Sequence, residues 1–115
     1  MVTRHHKTPI MHRMVEYNGV IYFGGLLADD LSGVSMHGQT AQICAKIDKL
    51  LADAGSDKSK LISATLFITD MSQKQEMNEV WTSWLEARDL PTRATIGVAD
   101  LGKDALIEVV VTAAK

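Results

Sequence analysis

Two side chains in the C-terminal quarter of the chain have the chemistry to act together on a small anion. Arg93 lies in the segment TRATIGV, and Glu108 is the one charge within LIEVVVTA. An arginine guanidinium matches a carboxylate with two parallel hydrogen bonds. A carboxylate among apolar residues has a physical reason for an altered proton affinity, which suits acid–base work. The pair could bind a substrate carboxylate and direct a water molecule.

The surrounding pattern predicts two strands joined by a turn. Residues 92–98 alternate as a strand that carries Arg93, residues 100–102 have turn chemistry, and residues 106–113 form a strand that carries Glu108. A hairpin folded about residues 100 and 101 would make the two charges cross-strand neighbours. Two interpretations follow: a structural ion pair that sets strand register, or a site that holds a substrate carboxylate and a water.

The N-terminal part of the chain predicts another hairpin. Asn18-Gly19 separates the short apolar runs 14–17 and 20–24, and both central positions of a type I′ turn need positive φ. Gly24-Gly25 closes the second run, either as a bend or as a place where the backbone approaches a ligand. Residues 1–10 have no periodicity and form either a frayed tail or an edge strand.

Two amphipathic helices alternate with the remaining strands. Residues 39–54 follow a helical apolar pattern that ends before Gly55, and residues 61–69 alternate as a strand. A second helix starts at a capping box of Ser72 and Gln75 and carries both tryptophans on its apolar stripe. The predicted order is β-β-α-β-α-β-β. Because each helix has one apolar stripe, both should pack on one face of a single mixed sheet, an α+β fold.

Length and composition limit the possible functions. The 115 residues suit one domain over 1–115, and 46% hydrophobic residues with a net charge of -2 are typical of a globular protein. Lys and Arg total 12 against 14 acids, so no basic excess points to nucleic acid. No signal peptide or membrane-spanning segment is evident, and a cytoplasmic location is the default expectation.

Neither the cysteine nor the histidines predict a reactive or metal centre. Cys44 has no cysteine partner and is interpreted as a small packing residue on a helix. His5, His6 and His12 have no cysteine or carboxylate ligand placed nearby in the sequence, so no metal is expected.

The sheet face opposite the helices also needs cover. Thr65, Phe67 and Val110 make that face partly apolar, and apolar area costs ~25 cal/mol per Å² when it stays in water. Oligomerisation is therefore expected, although the residues alone do not fix the number of subunits.

The C-terminal motifs resemble the closing signature of the RidA/YjgF family, formerly labelled L-PSP endoribonuclease or translation inhibitor. The signature is Pro91-x-Arg93, a valine-containing strand, Leu101-x-Lys103 and Ile107-Glu108-Val109. The similarity also includes Gly24-Gly25, Ala54-Gly55-Ser56, Thr65 to Met71 and Met77 to Val80. The resemblance implies a chorismate-mutase-like, RidA-like fold and a homotrimer with a central barrel and three pockets between subunits.

The resemblance also implies a reaction. Family members with the arginine hydrolyse 2-imino acids or their enamine tautomers to 2-keto acids and ammonia, without a cofactor or metal. Arg93 would bind the substrate carboxylate and Glu108 would position or activate the water. Substrate-binding positions are also implied for Gly24, Gly25, Thr95 and Asn78.

Three departures from the family pattern indicate a divergent RidA-like subgroup. Gly24 stands where many deaminases have serine, Thr95 where they often have cysteine, and Ile10 to His12 where they have tyrosine. The alternatives are a non-catalytic small-carboxylate-binding or regulatory trimer and a deaminase of a larger enamine, such as an aminomuconate- or aminoacrylate-type intermediate. Ribonuclease activity is disfavoured, because the chain has no basic stripe and few aromatic residues.

Overall fold

A computed structural model describes residues 1–115 as one six-stranded sheet with two α-helices on one face. The strand order is β1-β2-β3-β6-β4-β5, and only the β4–β5 pair is parallel. The strands are β1 Thr3–Lys7, β2 His12–Tyr17, β3 Val20–Phe23, β4 Leu61–Ile68, β5 Thr92–Gly97 and β6 Ile107–Ala114. The helices are α1 Met36–Asp53 and α2 Lys74–Trp84, with short 3₁₀ helices at Lys58–Lys60, Met71–Gln73 and Ala87–Asp89.

The predicted α+β class and the placement of both helices on one face are confirmed. Alternate residues of the central strands are buried, as period-two strands against a helical layer require. In β6 these are Ile107, Val109, Val111 and Ala113, which join the helix residues in one core of 24 side chains. Cys44 lies in this core, and burial raises the pKa of its thiol to about 12, so it is the packing residue the sequence predicted.

The first predicted hairpin is confirmed in detail. Asn18 and Gly19 have φ of 52° and 78°, and Tyr17 pairs with Val20 across the turn. Gly55 follows α1 with φ of 79°, the left-handed conformation that ends many helices. The N-terminal segment, for which two interpretations were open, forms the edge strand β1 on β2.

The predicted start of the second helix is wrong. The Asp70 carboxylate accepts from the Ser72 backbone N–H at 3.0 Å and from the Ser72 hydroxyl at 2.6 Å. This local bond starts the 3₁₀ turn, and α2 begins at Lys74 after Gln73, which makes no side-chain cap. Ser72 is therefore committed to Asp70 and does not form a capping box with Gln75. The helix α1, in contrast, starts three residues earlier than predicted, at Met36, capped by Ser35.

The predicted hairpin between the Arg93 and Glu108 strands is also wrong. β4 lies between β5 and β6, so Arg93 pairs with Ala64 while Glu108 pairs with Phe67. The predicted turn does form locally, since the Gly102 N–H donates to the Asp100 carboxylate at 2.8 Å. Residues 98–106 nevertheless pass the end of β4 instead of reversing directly.

A buried glutamine fixes this crossover. The side-chain amide of Gln39 donates to the carbonyls of Val34 and Asp104 at 3.0 and 2.9 Å, and its oxygen accepts from the Leu106 N–H at 2.9 Å. Gln39 is fully buried with these polar atoms paired, which is the condition for burying an amide at low cost. The start of α1 therefore determines where the chain enters β6.

The face opposite the helices is partly apolar, as predicted. Tyr17, Tyr22, Ile62 and Ile96 are each more than two-fifths exposed. Neither helix is long and apolar enough to cross a membrane.

The N-terminal histidines contact carboxylates singly. The ring Nε2 of His5 lies 2.9 Å from Glu16, and that of His6 lies 3.0 Å from Asp53. No group of three or more potential ligands in the chain is arranged to hold a metal ion.

Candidate functional site

Arg93 points from the edge strand β5 to the helix side of the sheet. Its Nη2 donates to the Asn78 side-chain oxygen at 2.6 Å, and its Nη1 lies 3.9 Å from the Met77 sulfur. Both partners are neutral, and no carboxylate of the chain forms an ion pair with the guanidinium. The helix α2 therefore holds the side chain in place without neutralising it.

The charge of Arg93 is retained in this setting. Burial lowers the pKa of the guanidinium, but arginine stays protonated because its ordinary pKa lies far above neutrality. A half-buried cation without a counter-ion, with several N–H groups left free, favours binding of an anion.

A groove runs from the guanidinium between α2 and the segment that enters β5. Its volume is ≈ 300 Å³. The lining residues are Asn78, Trp81, Thr82, Leu90, Pro91 and Arg93. Arg93 is the one charged residue among them, so the groove has a cationic end and otherwise neutral walls.

Glu108 projects from the central strand β6 to the other face of the sheet. Backbone hydrogen bonds between Leu26 and Val109, at 2.9 and 3.0 Å, hold the chain after β3 beside β6. The Glu108 carboxylate lies over Gly25, where an added Cβ would come within 2.9 Å of the carboxyl carbon. The missing side chain of Gly25 therefore makes room for the carboxylate. No donor of the chain forms a hydrogen bond with that carboxylate.

Gly24 and Thr95 have different surroundings. A Cβ at Gly24 would lie 3.1 Å from the Met11 sulfur, so Met11 borders the space that a serine would use. Thr95 lies on the same face as Arg93, two residues further along β5, and its hydroxyl is buried without a hydrogen-bond partner.

The structure therefore divides five of the six predicted site residues into two groups, while Gly24 borders Met11. Arg93, Asn78 and Thr95 lie on the helix side of the sheet. Glu108, with Gly25 beneath it, lies on the face opposite the helices, which we call the open face. The predicted cross-strand contact between Arg93 and Glu108 does not exist within one chain. The sequence interpretation missed the groove residues Trp81, Thr82 and Leu90. One available signal was the i, i+4 spacing of Asn78 and Thr82, which places both on one helix face.

The fold has close counterparts among solved structures. NMB1025 of Neisseria meningitidis, described as a member of the YjgF protein family, matches with a TM-score of 0.94 at 32% identity, covering 100% of this chain and 95% of that one. Rv2704 of Mycobacterium tuberculosis matches with a TM-score of 0.88 at 18% identity, which supports the fold alone. The sheet with two helices on one face is a YjgF-type domain.

Sequence comparison gives the family itself. The model of the Endoribonuclease L-PSP family matches residues 7–115. A RutC family protein of Haemophilus ducreyi is 35% identical over 114 residues, covering 99% of this chain and 97% of the relative. The RutC family protein YoaB of Escherichia coli is 31% identical over 101 residues, with 88% and 87% covered. The chain belongs to this YjgF/RutC family, so the resemblance seen in the C-terminal motifs is confirmed.

Proposed function

We propose that this protein hydrolyses 2-imino acids, or their enamine tautomers, to 2-keto acids and ammonia. The observation that carries the proposal is the Arg93 guanidinium, held by the neutral Asn78 oxygen at 2.6 Å with no carboxylate paired to it. The substrate is a small planar carboxylate, which a planar guanidinium fork binds with two hydrogen bonds.

The reaction needs an oriented water and a proton acceptor. With the substrate carboxylate on Arg93, Glu108 accepts a proton from the water that adds to the C=N carbon and passes it to the imine nitrogen, which gives a carbinolamine. Glu108 then accepts the hydroxyl proton of the carbinolamine and passes it to the amino group, so that the C–N bond breaks and ammonia leaves the keto acid. An enamine first gains a proton on carbon and loses one from nitrogen to become the imine. No cofactor is invoked, since positioning and proton transfer supply the rate gain.

Arg93 and Glu108 lie on opposite faces of the sheet, so the proposed site requires two copies of the chain. One copy supplies Arg93 with Asn78, and its neighbour supplies Glu108 over Gly25. The exposed tyrosines and isoleucines of the open face favour such an assembly, because burial of that face is stabilising. We propose the homotrimer that the family resemblance implies, with one cleft at each of three equivalent interfaces.

A competition assay tests the activity. An amino-acid oxidase generates 2-iminopropanoate from alanine in the presence of semicarbazide, and semicarbazone formation is followed by absorbance. The purified protein should lower the semicarbazone yield, and Arg93→Ala should abolish that effect. Arg88→Ala is the matched control, because Arg88 is 81% exposed and pairs only with Glu86 and Asp89. An unchanged yield with imines from several amino acids would refute the proposed activity.

The second candidate is a non-catalytic trimer that binds small carboxylates. It is favoured by the Glu108 carboxylate having no donor beside it and by Met11 lying where a serine side chain would go. Calorimetry with pyruvate separates the candidates: binding lost in Arg93→Ala, together with no imine hydrolysis, would establish the binder.

A further inference from the structure

We propose that the groove beside Arg93 receives the substrate side chain, so that the preferred ligands are monocarboxylates with a branched or aromatic apolar side chain. This proposal rests on the proposed function for the identity of the site, and it specifies the substrate class. It assigns a specificity role to Leu90 and Thr82.

The form of the groove distinguishes its two ends. Arg93 and Asn78 are in contact and form the cationic end. The apolar end is the lining formed by Leu90, Pro91 and Trp81. Leu90 is 48% exposed although it is a large apolar side chain. A pyruvate-sized ligand on Arg93 would leave this apolar end in water. At ≈ 300 Å³ the groove is at the lower limit of small-molecule pockets, which span roughly 300–1,000 Å³.

The groove has no second cation for a second negative charge on the ligand. No cation other than Arg93 lines the groove. The Thr82 hydroxyl donates to the Asn78 backbone carbonyl at 2.9 Å, so its proton is already committed. A second carboxylate beside Leu90 and Pro91 would therefore have no cation to pair with, which is unfavourable. The groove thus favours a leucine- or phenylalanine-derived imine over a dicarboxylate of the aminomuconate type.

Burial of the side chain predicts a graded affinity. Each buried methylene strengthens binding by about four-fold when the contact removes it from water. A ligand with three more carbons than pyruvate should bind at least about ten-fold more tightly, allowing for incomplete burial.

The test measures Kd by calorimetry for pyruvate, 4-methyl-2-oxopentanoate and phenylpyruvate, the stable keto-acid counterparts of the substrates. The wild-type protein should bind the two larger acids at least about ten-fold more tightly than pyruvate. Leu90→Ser should reduce that preference to within about three-fold, because it weakens binding of the two larger acids more than binding of pyruvate. Leu90→Met, which conserves volume, is the matched control and should keep the preference.

A second variant changes the wall of the groove that α2 forms, opposite Leu90. Thr82→Phe fills the groove from α2 and should weaken binding of the larger acids at least about ten-fold more than binding of pyruvate. Equal Kd values across the three acids, no binding of any of them, or an equal loss for all three in both variants would overturn the proposal. The proposed deaminase activity is tested independently of these Kd values. It is refuted if 2-iminopropanoate and its larger homologues are all left unhydrolysed, whatever Kd values the three acids have.

Discussion

The arginine half and the glutamate half of the candidate site differ in how the chain positions them. Arg93 is on the edge strand β5, and side-chain contacts with Asn78 and Met77 of α2 orient it. Glu108 is on the central strand β6, and its place depends on backbone pairing and on the empty space above Gly25. The arginine half depends on contacts made by the side chains of α2. The glutamate half depends on the absence of a side chain at Gly25, since one there would displace the carboxylate. The two halves can therefore be disrupted independently.

The largest expected effect comes from mixing two inactive variants. Arg93→Ala and Glu108→Ala should each lose most activity, because each removes one half of every cleft. Random mixed trimers should recover about a quarter of wild-type activity, since each interface needs an intact arginine from one copy and an intact glutamate from its neighbour. Activity is measured after the variants are unfolded and refolded together. Mixed trimers seen by native mass spectrometry without recovered activity would contradict a site shared between copies.

Gly25→Ala should disrupt the glutamate half alone. The new methyl group would displace the Glu108 carboxylate, because the space is too small for both. We expect kcat to fall about 10- to 100-fold, within the range for loss of a positioned acid–base group, with pyruvate affinity near wild type. Gly24→Ala is the control: its methyl would meet the flexible Met11 sulfur at 3.1 Å, and kcat should stay within about three-fold. Equal losses in both variants would argue against the role of Gly25.

Asn78→Asp should disrupt the arginine half by supplying an internal counter-ion. The new carboxylate would occupy the Asn78 oxygen position, 2.6 Å from the guanidinium, and compete with the substrate. KM should rise about ten-fold while kcat changes little, because the loss falls on binding. Asn78→Ala removes the same hydrogen bond without adding charge, and its KM should rise less. Identical KM values for the two variants would show that charge is not the cause.

Thr95→Val tests the arginine half through its effect on stability, and the expected effect is smaller. The Thr95 hydroxyl is buried without a partner, so the nearly isosteric valine should raise the free energy of unfolding by about 1 kcal/mol. Urea unfolding measures the change. Thr92→Val is the control, since the Thr92 hydroxyl donates to the Ile62 carbonyl at 3.3 Å and its loss should bring no gain. A destabilised Thr95→Val would mean that a neighbouring copy or a ligand satisfies the hydroxyl.

Features encoded by adjacent residues were predictable from the sequence. Asn18-Gly19 and Gly55 adopt the positive φ that their residue types favour. The apolar periodicities predicted both helices and their packing on one face of the sheet. The capping box predicted for Ser72 and Gln75 does not form for a local reason, because Ser72 donates to the Asp70 carboxylate instead. The edge strand β1 has no such signal, since its histidines face carboxylates instead of alternating with apolar residues.

The arrangement of the site was harder to predict, because it depends on contacts between residues far apart in the sequence. Turn chemistry at Asp100 indicates a reversal, but it does not say whether the chain returns beside the same strand or passes a neighbour. That choice is fixed by Gln39, which binds the crossover from 65 residues away in the sequence. The residue types of Arg93 and Glu108 thus led to the proposed chemistry, whereas their placement on opposite faces depends on the strand order.

The central position of β6 has a consequence for how this protein can be made in the cell. β6 pairs with both β3 and β4, yet it follows every other element along the chain. On the ribosome, residues 20–23 and 61–68 therefore have no strand between them until residues 107–114 have emerged. Any nascent chain interrupted before that point has two unpaired strand edges and lacks the core side chains of β6, and it should be a substrate for chaperones and proteases.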